Sequence, residues 1–221
     1  MRIAIIIPAF NEAETIQAVV RGAKPHGVPV VVDDGSTDRT AALAKAAGAQ
    51  IVARDGAAAR GYESALEAGF RHAADRKAEV VATIDADGQL DPADLSRLLD
   101  PVVKGDADLA LGRRPRGARL GERLFNLYAR LRFGVPDILC GLKAYRMTLY
   151  DDHGCFDTHR NIGTELALAS LRAGARVAVV PVSVRPRADA PRFASGWRAN
   201  IRLLGALRRA LGADLCGGRW R

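Results

Sequence analysis

The sequence predicts an α/β fold with a mostly parallel central sheet flanked by helices. Short, continuous, β-branched runs recur at residues 2–7, 28–32, 50–53 and 79–84. Helix-sized segments separate them. Strands that are apolar along their whole length are covered on both faces, as parallel sheets are. The chain has 221 residues, 48% of them apolar, enough for one α/β domain with a sizeable core.

Taken in order, residues 2–7 read as a buried strand, 12–24 as a helix and 28–32 as the second strand. An alanine-rich helix follows at 37–47, a short strand at 50–53, a helix at 61–74 and a fourth strand at 79–84. After Asp91-Pro92 comes a helix to about residue 103, then a strand at 108–111. Residues 121–133 read as helix, 140–146 as a strand or extended segment, and 150–162 as a polar loop. A helix at 163–173, a strand at 176–184 and a helix at 196–211 lead to a Gly-rich tail. The reading is one domain over 1–221. Residues 1–112 form its ligand-binding and metal-binding part, 113–195 its second-substrate side, and 196–221 an amphipathic helix and tail.

The formal charge is +8, from 33 basic and 25 acidic residues. A basic balance points to an anionic partner: phosphorylated small molecules, a membrane surface or nucleic acid. Solvated surface arginines explain the same excess. Cys140, Cys155 and Cys216 form no short pair, and four histidines form no HExxH. A disulfide framework and a histidine-based zinc site are not expected, and a reducing, cytoplasmic setting is. No apolar run approaches the roughly 18 residues that span a bilayer, so membrane contact is expected to be peripheral.

In parallel α/β sheets, ligands bind beyond the carboxyl ends of the strands. Two acidic runs stand there, Val32-Asp33-Asp34-Gly35-Ser36-Thr37-Asp38 and Asp85-Ala86-Asp87-Gly88-Gln89-Leu90-Asp91-Pro92. Asp85 and Asp87 alternate, so in an extended segment both point to one side. Gln89 continues the alternation. Hard oxygen ligands favour Mg2+ or Mn2+, and such an ion bridges the two phosphates of a nucleotide diphosphate. A solvated turn is the bland alternative. Of Asp33 and Asp34, one is expected to accept from a base and the other from ribose hydroxyls. At the first strand end the Pro8 and Ala9 backbone is placed to cradle a nucleotide, with Glu12 near its ribose. Asn11 with Glu14 reads equally as a helix capping box, and Ser36 and Asp38 as helix caps. No GxGxxG and no P-loop is present.

Arg113, Arg114, Arg116, Arg119 and Arg123 are five arginines in eleven residues. They suit a lid or floor for a polyphosphate substrate, or else a solvated loop. Lys143 and Arg146 alternate imperfectly. One is expected to bind phosphate and the other to pair with Asp137 or Glu165. Glu165 is a candidate general base for a hydroxyl acceptor, or a stabiliser of its own helix. On the last helix, Arg198, Arg202 and Arg209 gather on one side and Ile201, Leu204, Leu207 and Leu211 on the other. That pattern fits either an interfacial helix at an anionic membrane or a packed helix with a wet face.

These motifs together resemble family 2 glycosyltransferases with the GT-A nucleotide-diphospho-sugar transferase fold, and especially their dolichyl-phosphate mannosyltransferase branch. The resemblance rests on Pro8-Ala-Phe-Asn-Glu12, on the two acidic runs, and on Gly56, Gly61, Ala65 and Gly69. It continues through Gly112-Arg113, Asn126, residues 137–146, Glu165 and residues 180–185, nearly the whole chain. It implies that Pro8, Ala9, Asn11, Glu12, Asp33, Asp34, Asp85, Ala86 and Asp87 bind the nucleotide sugar. It implies a metal on Asp85, Asp87 and Gln89, with Asp85, Asp87, Arg113, Lys143, Arg146 and Glu165 in catalysis. The implied reaction is inverting hexose transfer from a GDP- or UDP-sugar to a polyprenyl phosphate. Transfer to a saccharide hydroxyl is the enzymatic alternative. A non-catalytic basic module is the other, and no nucleic-acid module is recognisable. The branch's usual Ser-Gly-Phe-Arg is here Cys140-Gly141-Leu142-Lys143, which keeps the charge and loses the guanidinium fork. The branch's basic end is represented by Arg185, Arg187 and Arg192.

Overall fold

The computed structural model describes residues 1–54, 61–115, 120–157, 161–185 and 197–215, with the backbone alone at 197–199. Its strands are β1 (Ile3–Ala9), β2 (Val28–Asp33), β3 (Gln50–Ala53), β4 (Val80–Thr83), β5 (Leu109–Arg113), β6 (Lys143–Arg146) and β7 (Val177–Pro181). They form one sheet in the order β3-β2-β1-β4-β6-β5-β7. β3, β2, β1 and β4 pair in parallel, as do β5 and β7. β6 runs antiparallel to both of its neighbours, β4 and β5. The amino end of β6 therefore lies at the same edge of the sheet as the carboxyl ends of the other strands.

The period of two along each strand divides the core into two layers. Ile5, Ile7, Val31, Val80 and Ala82 face one way. There they meet α1 (Ile16–Ala23), α2 (Thr40–Ala46) and α4 (Asp94–Lys104) through Val19, Ala44 and Leu98. Ala4, Ile6, Val30, Val32 and Val81 face the other way. That side is covered by α3 (Tyr62–Asp75), α5 (Leu120–Phe133), α6 (Met147–His153), α7 (Glu165–Arg172) and α8 (Trp197–Leu215). α3 lies close on the sheet: a β-carbon at Gly69 would stand 2.4 Å from Ile6 Cγ2. Phe70 of the same helix stacks on Phe156 and Tyr150, with ring centroids 4.7 and 5.2 Å apart.

Several sequence expectations shift. Residues 12–15 form a turn on the Glu12 carbonyl, and α1 begins only at Ile16. The expected loop at 150–162 opens with the end of α6. β7 stops at Pro181, after which the chain crosses the acidic loop as a Leu90–Val184 bridge. α8 runs to Leu215, beyond residue 211. Its arginines also face differently from the expectation. Arg202 reaches Glu63 at 3.4 Å, and Arg209 donates to Asn161 at 3.1 Å. Leu203, Ala206, Ala210 and Ala213 are the buried side, while Ile201, Leu204, Leu211 and Leu215 are exposed. Arg198 lies outside the described side chains. No described helix is long and apolar enough to cross a membrane.

Candidate active site

The loops after β1, β2 and β4 and the amino end of β6 converge at one edge of the sheet. Asp85 follows β4 and Asp87 sits in the turn beyond it, where Gly88 takes a left-handed φ of 72°. The turn closes on itself, the Gln89 amide donating to Asp87 Oδ1 at 3.1 Å. The segment is therefore not extended, and simple alternation does not place Asp85, Asp87 and Gln89 on one side.

Asp85 is nonetheless tightly set. The Tyr62 hydroxyl, from the first turn of α3, donates to its Oδ1 at 3.0 Å. A β-carbon at Gly141 would stand 2.1 Å from its Oδ2, so only glycine fits there. Gly141 is fixed in turn by Thr83 of β4, whose hydroxyl donates to its carbonyl at 2.7 Å. Burial and then the charge of Asp87 push the Asp85 carboxyl up to about 6, against the pull of Tyr62, Arg114 and Lys143. A buried carboxyl raised in part by a second carboxylate beside it lies in a site short of positive charge. Their hard oxygens fit a divalent cation.

Lys143 starts β6 beside Thr83 and donates to the Gly163 carbonyl at 2.7 Å. Burial lowers its ammonium to about 8, with the neighbouring Cys140, Asp137 and Asp85 opposing. Arg113 ends β5 at this same edge and is exposed. Arg114 makes the paired contact expected of Lys143 or Arg146. Its Nε and Nη2 meet Asp137 Oδ2 and Oδ1 at 2.8 and 2.9 Å, and its amide adds a third bond at 3.1 Å. Arg116 and Arg119 lie outside the described residues, as do Arg187 and Arg192.

Arg146 is not part of this group. It ends β6 opposite Val80, at the other edge of the sheet, where it lies 3.7 Å from Asp108 and donates to the Val102 carbonyl. The antiparallel run of β6 is the reason, since four residues of strand carry the chain from one edge to the other.

The residues expected to bind the nucleotide are brought together, with their polar groups partly committed to the fold. Asn11 has φ 54° and caps no helix. It ties the β1 loop to the β2 loop instead, its amide donating to Ser36 Oγ and its Oδ1 accepting from the Thr37 amide. Pro8 and Ala9 pair with Val32 and Asp33 inside the sheet, and the Ala9 carbonyl accepts from the Asp34 amide. The Ala9 carbonyl is thus spent on the sheet edge. The Ala86 carbonyl is likewise taken, by the Thr15 hydroxyl at 2.7 Å. The Glu12 amide donates to Thr40, while Asp38, through its Oδ1, caps the start of α2. Asp34 holds Arg54 and the Gly61 amide, each at 2.7 Å, one on each oxygen. Asp33, 8% exposed, accepts a longer bond of 3.4 Å from the Ser36 amide. Arg185 pairs with Asp91, and its amide donates to the Gln89 carbonyl, laying the chain beyond β7 over the acidic loop.

On the other flank, Glu165 opens α7 and is 1% exposed. Asp157 accepts from the Asn161 and Gly163 amides at 2.9 and 2.8 Å. Burial, with the charges of Glu165 and Glu63, pushes its carboxyl well above the usual range. Tyr62 and Asp157 were not singled out from the sequence as members of the site, while Arg114 was expected to meet phosphate and Gly141 was noted only as part of the 140–143 run. Asp157 stood inside the loop read at 150–162. Tyr62 carried no signal.

A sheet of this order, bearing an acidic turn after β4 and a reversed strand beside it, is the GT-A nucleotide-diphospho-sugar transferase fold. Residues 4–154 match the model of Glycosyl transferase family 2, and the chain belongs to that family: it is a glycosyltransferase. An uncharacterised glycosyltransferase of Mycobacterium tuberculosis is 34% identical over 88% of this chain and 90% of its own. A polyprenol monophosphomannose synthase of Mycolicibacterium smegmatis is 33% identical, over 84% of this chain and 78% of its own. Among solved structures, glucosyl-3-phosphoglycerate synthase of M. tuberculosis, in complex with Mn2+, uridine diphosphate and phosphoglyceric acid, superposes with a TM-score of 0.73 at 25% identity. The match covers the whole of this chain and 79% of that one.

Proposed function

We propose that this glycosyltransferase moves a hexose from a nucleotide-diphosphate sugar to the hydroxyl of a small, phosphorylated or saccharide acceptor. The observation that carries the reading is the Asp85 carboxyl, raised to about 6 beside Asp87 and walled in by Tyr62 and Gly141. The structural relative holding Mn2+ and uridine diphosphate supports a divalent cation and a uridine donor. Asp85 and Asp87, with Gln89 in the same loop, would hold Mg2+ or Mn2+. When bound, the ion would stabilise negative charge on the departing diphosphate.

The other steps fall to the chain. Asp33 is the better placed of its pair to accept from the nucleoside, because both Asp34 oxygens already hold Arg54 and Gly61. Arg113 is exposed at the β5 end, where a phosphate would meet it. Lys143 keeps positive charge beside the carboxylates and anchors the Gly163 loop. The acceptor side, residues 113–195, carries the buried carboxylates Asp157 and Glu165.

A second reading, polyprenyl phosphate as acceptor, has its own observation. Leu120, Leu124, Leu127 and Leu131 are all exposed at helical spacing on α5, and Ile201, Leu204, Leu211 and Leu215 on the neighbouring α8. Arg123, Arg130 and Arg132 accompany the α5 stripe. An apolar stripe with basic neighbours suits an anionic membrane surface at which the acceptor is embedded. The polyprenol monophosphomannose synthase supports the same acceptor.

The test is product mass after incubation with Mn2+, UDP- and GDP-hexoses, and in parallel a phosphorylated hydroxy acid, a saccharide and a short polyprenyl phosphate. A water-soluble glycoside upholds the hydroxyl reading, and a lipid phosphosugar replaces it with the second. Turnover without a divalent ion would overturn the role given to Asp85 and Asp87.

A further inference from the structure

We infer that the chain carries a second metal site, distinct from the acidic loop, in which His153, Cys155 and Glu165 bind Zn2+. The three ligand atoms lie within 4.8 Å of one another. Glu165 Oε1 is 3.4 Å from His153 Nε2 and 3.6 Å from Cys155 Sγ. A tetrahedral zinc ion with bonds of about 2.0–2.3 Å sets its ligands roughly 3.3–3.8 Å apart, which these separations match.

The local chain is shaped for it. His153 is the last residue of α6, and Gly154, with a left-handed φ of 83°, turns the chain so that Cys155 comes back toward Glu165. Glu165 is presented by the first turn of α7 and sits 1% exposed. His153 Nε2 is buried without a hydrogen bond: it lies near the carboxylate, at an angle that makes none. A buried imidazole nitrogen left unspent is costly unless something engages it. The corner is also acidic, since Asp157 and Glu63 lie close enough for their charges to act on one another. Cation binding relieves that.

The ligand chemistry separates this site from the first. Thiolate and imidazole select zinc over Mg2+ and Mn2+, whereas two aspartates beside an amide select the hard ions. His153 and Cys155 are partly exposed, so an ion can enter. Once bound, it joins the end of α6 to the start of α7. It fixes the acceptor-side wall through Glu165.

The metal-stripped protein is titrated with Co2+ and then with Zn2+. One equivalent of cobalt is expected to produce a thiolate-to-cobalt charge-transfer band and the visible bands of a tetrahedral ion, both erased by one equivalent of zinc. Cys155→Ser removes the charge-transfer band. His153→Ala weakens cobalt binding by more than about tenfold, at least the cost of disturbing a ligand's support. Asp85→Asn leaves the bands in place, because the acidic loop is elsewhere. Circular dichroism shows which variants are folded, and if one substitution unfolds the chain the other carries the test. Absence of the charge-transfer band in the folded wild type overturns the site. So does its persistence in Cys155→Ser, which would assign the thiolate to another cysteine.

Discussion

The backbone of Gly141 lies against the Asp85 carboxylate so closely that a methyl group on it would stand 2.1 Å from Oδ2. Two segments 56 residues apart in the chain are thus pressed together at the centre of the site. Gly141→Ala is expected to displace the Asp85 side chain rather than unfold the sheet. Apparent affinity for Mn2+ should fall by about a hundredfold, the scale on which a misplaced group costs activity, with kcat/KM falling in parallel. Isothermal titration with Mn2+, read beside the melting temperature, checks it. Unchanged metal affinity would remove Asp85 from the ion.

Asp85 is held at a cost to the fold. Its carboxyl titrates near 6 in the native chain, above the usual value. Between about pH 4 and 6 the folded state therefore holds more protons than the unfolded one, and stability falls as pH rises. Above about 6 the full penalty is present, about 3 kcal/mol. Asp85→Asn should raise the melting temperature of metal-free protein by about 9 °C at pH 7.5, and leave it nearly unchanged near pH 4. The same variant should have lost metal-dependent transfer.

Arg114 and Asp137 meet by two parallel bonds, with the Asp137 side chain 6% exposed. Asp137→Ala leaves a guanidinium with its principal partner gone, a loss of about 3 kcal/mol. Arg114→Lys keeps the charge and loses the fork, so it should also destabilise the chain, though less. Urea unfolding of both variants checks the order.

Arg146, at the far edge of the sheet, is expected to be catalytically silent. Arg146→Gln should leave kcat and KM unaltered. It should cost about 1 kcal/mol of stability, the scale of a half-buried ion pair and one hydrogen bond. A large fall in kcat with the fold intact would place this residue back in the reaction.

The exposed stripe on α5 separates the two acceptor readings. If the acceptor is a membrane lipid, Leu127→Asp with Leu131→Asp should abolish sedimentation with anionic vesicles and transfer to polyprenyl phosphate. Transfer to a soluble acceptor should be untouched by the same pair.

What the sequence made legible, and what it did not, follows from the range of the interactions involved. β1 to β4 and the acidic loop were readable because a β-branched run and a carboxylate at its end are local signals. Tyr62 was not, because its contact with Asp85 spans 23 residues and depends on how closely α3 sits on the sheet. Arg146 was misplaced because no residue in 143–146 announces which way the strand runs. Asn11 was read either as a nucleotide contact or as a helix cap, because Asn is among the residues that favour the position before a helix. Its left-handed φ, and its use in joining two loops, depend on Ser36 and Thr37, 25 and 26 residues on.

The reversed strand has one more consequence. β6 comes from the second half of the chain, yet it lies between β4 and β5 of the first half and bonds to both. On the proposed division at residue 112, the donor part and the acceptor part are therefore interleaved rather than abutted. A chimera that exchanges the acceptor half at residue 112 also replaces a middle strand of the donor half's sheet, and Gly141 and Lys143 with it. In this architecture the acceptor half cannot be traded as a module without re-laying the floor beneath Asp85.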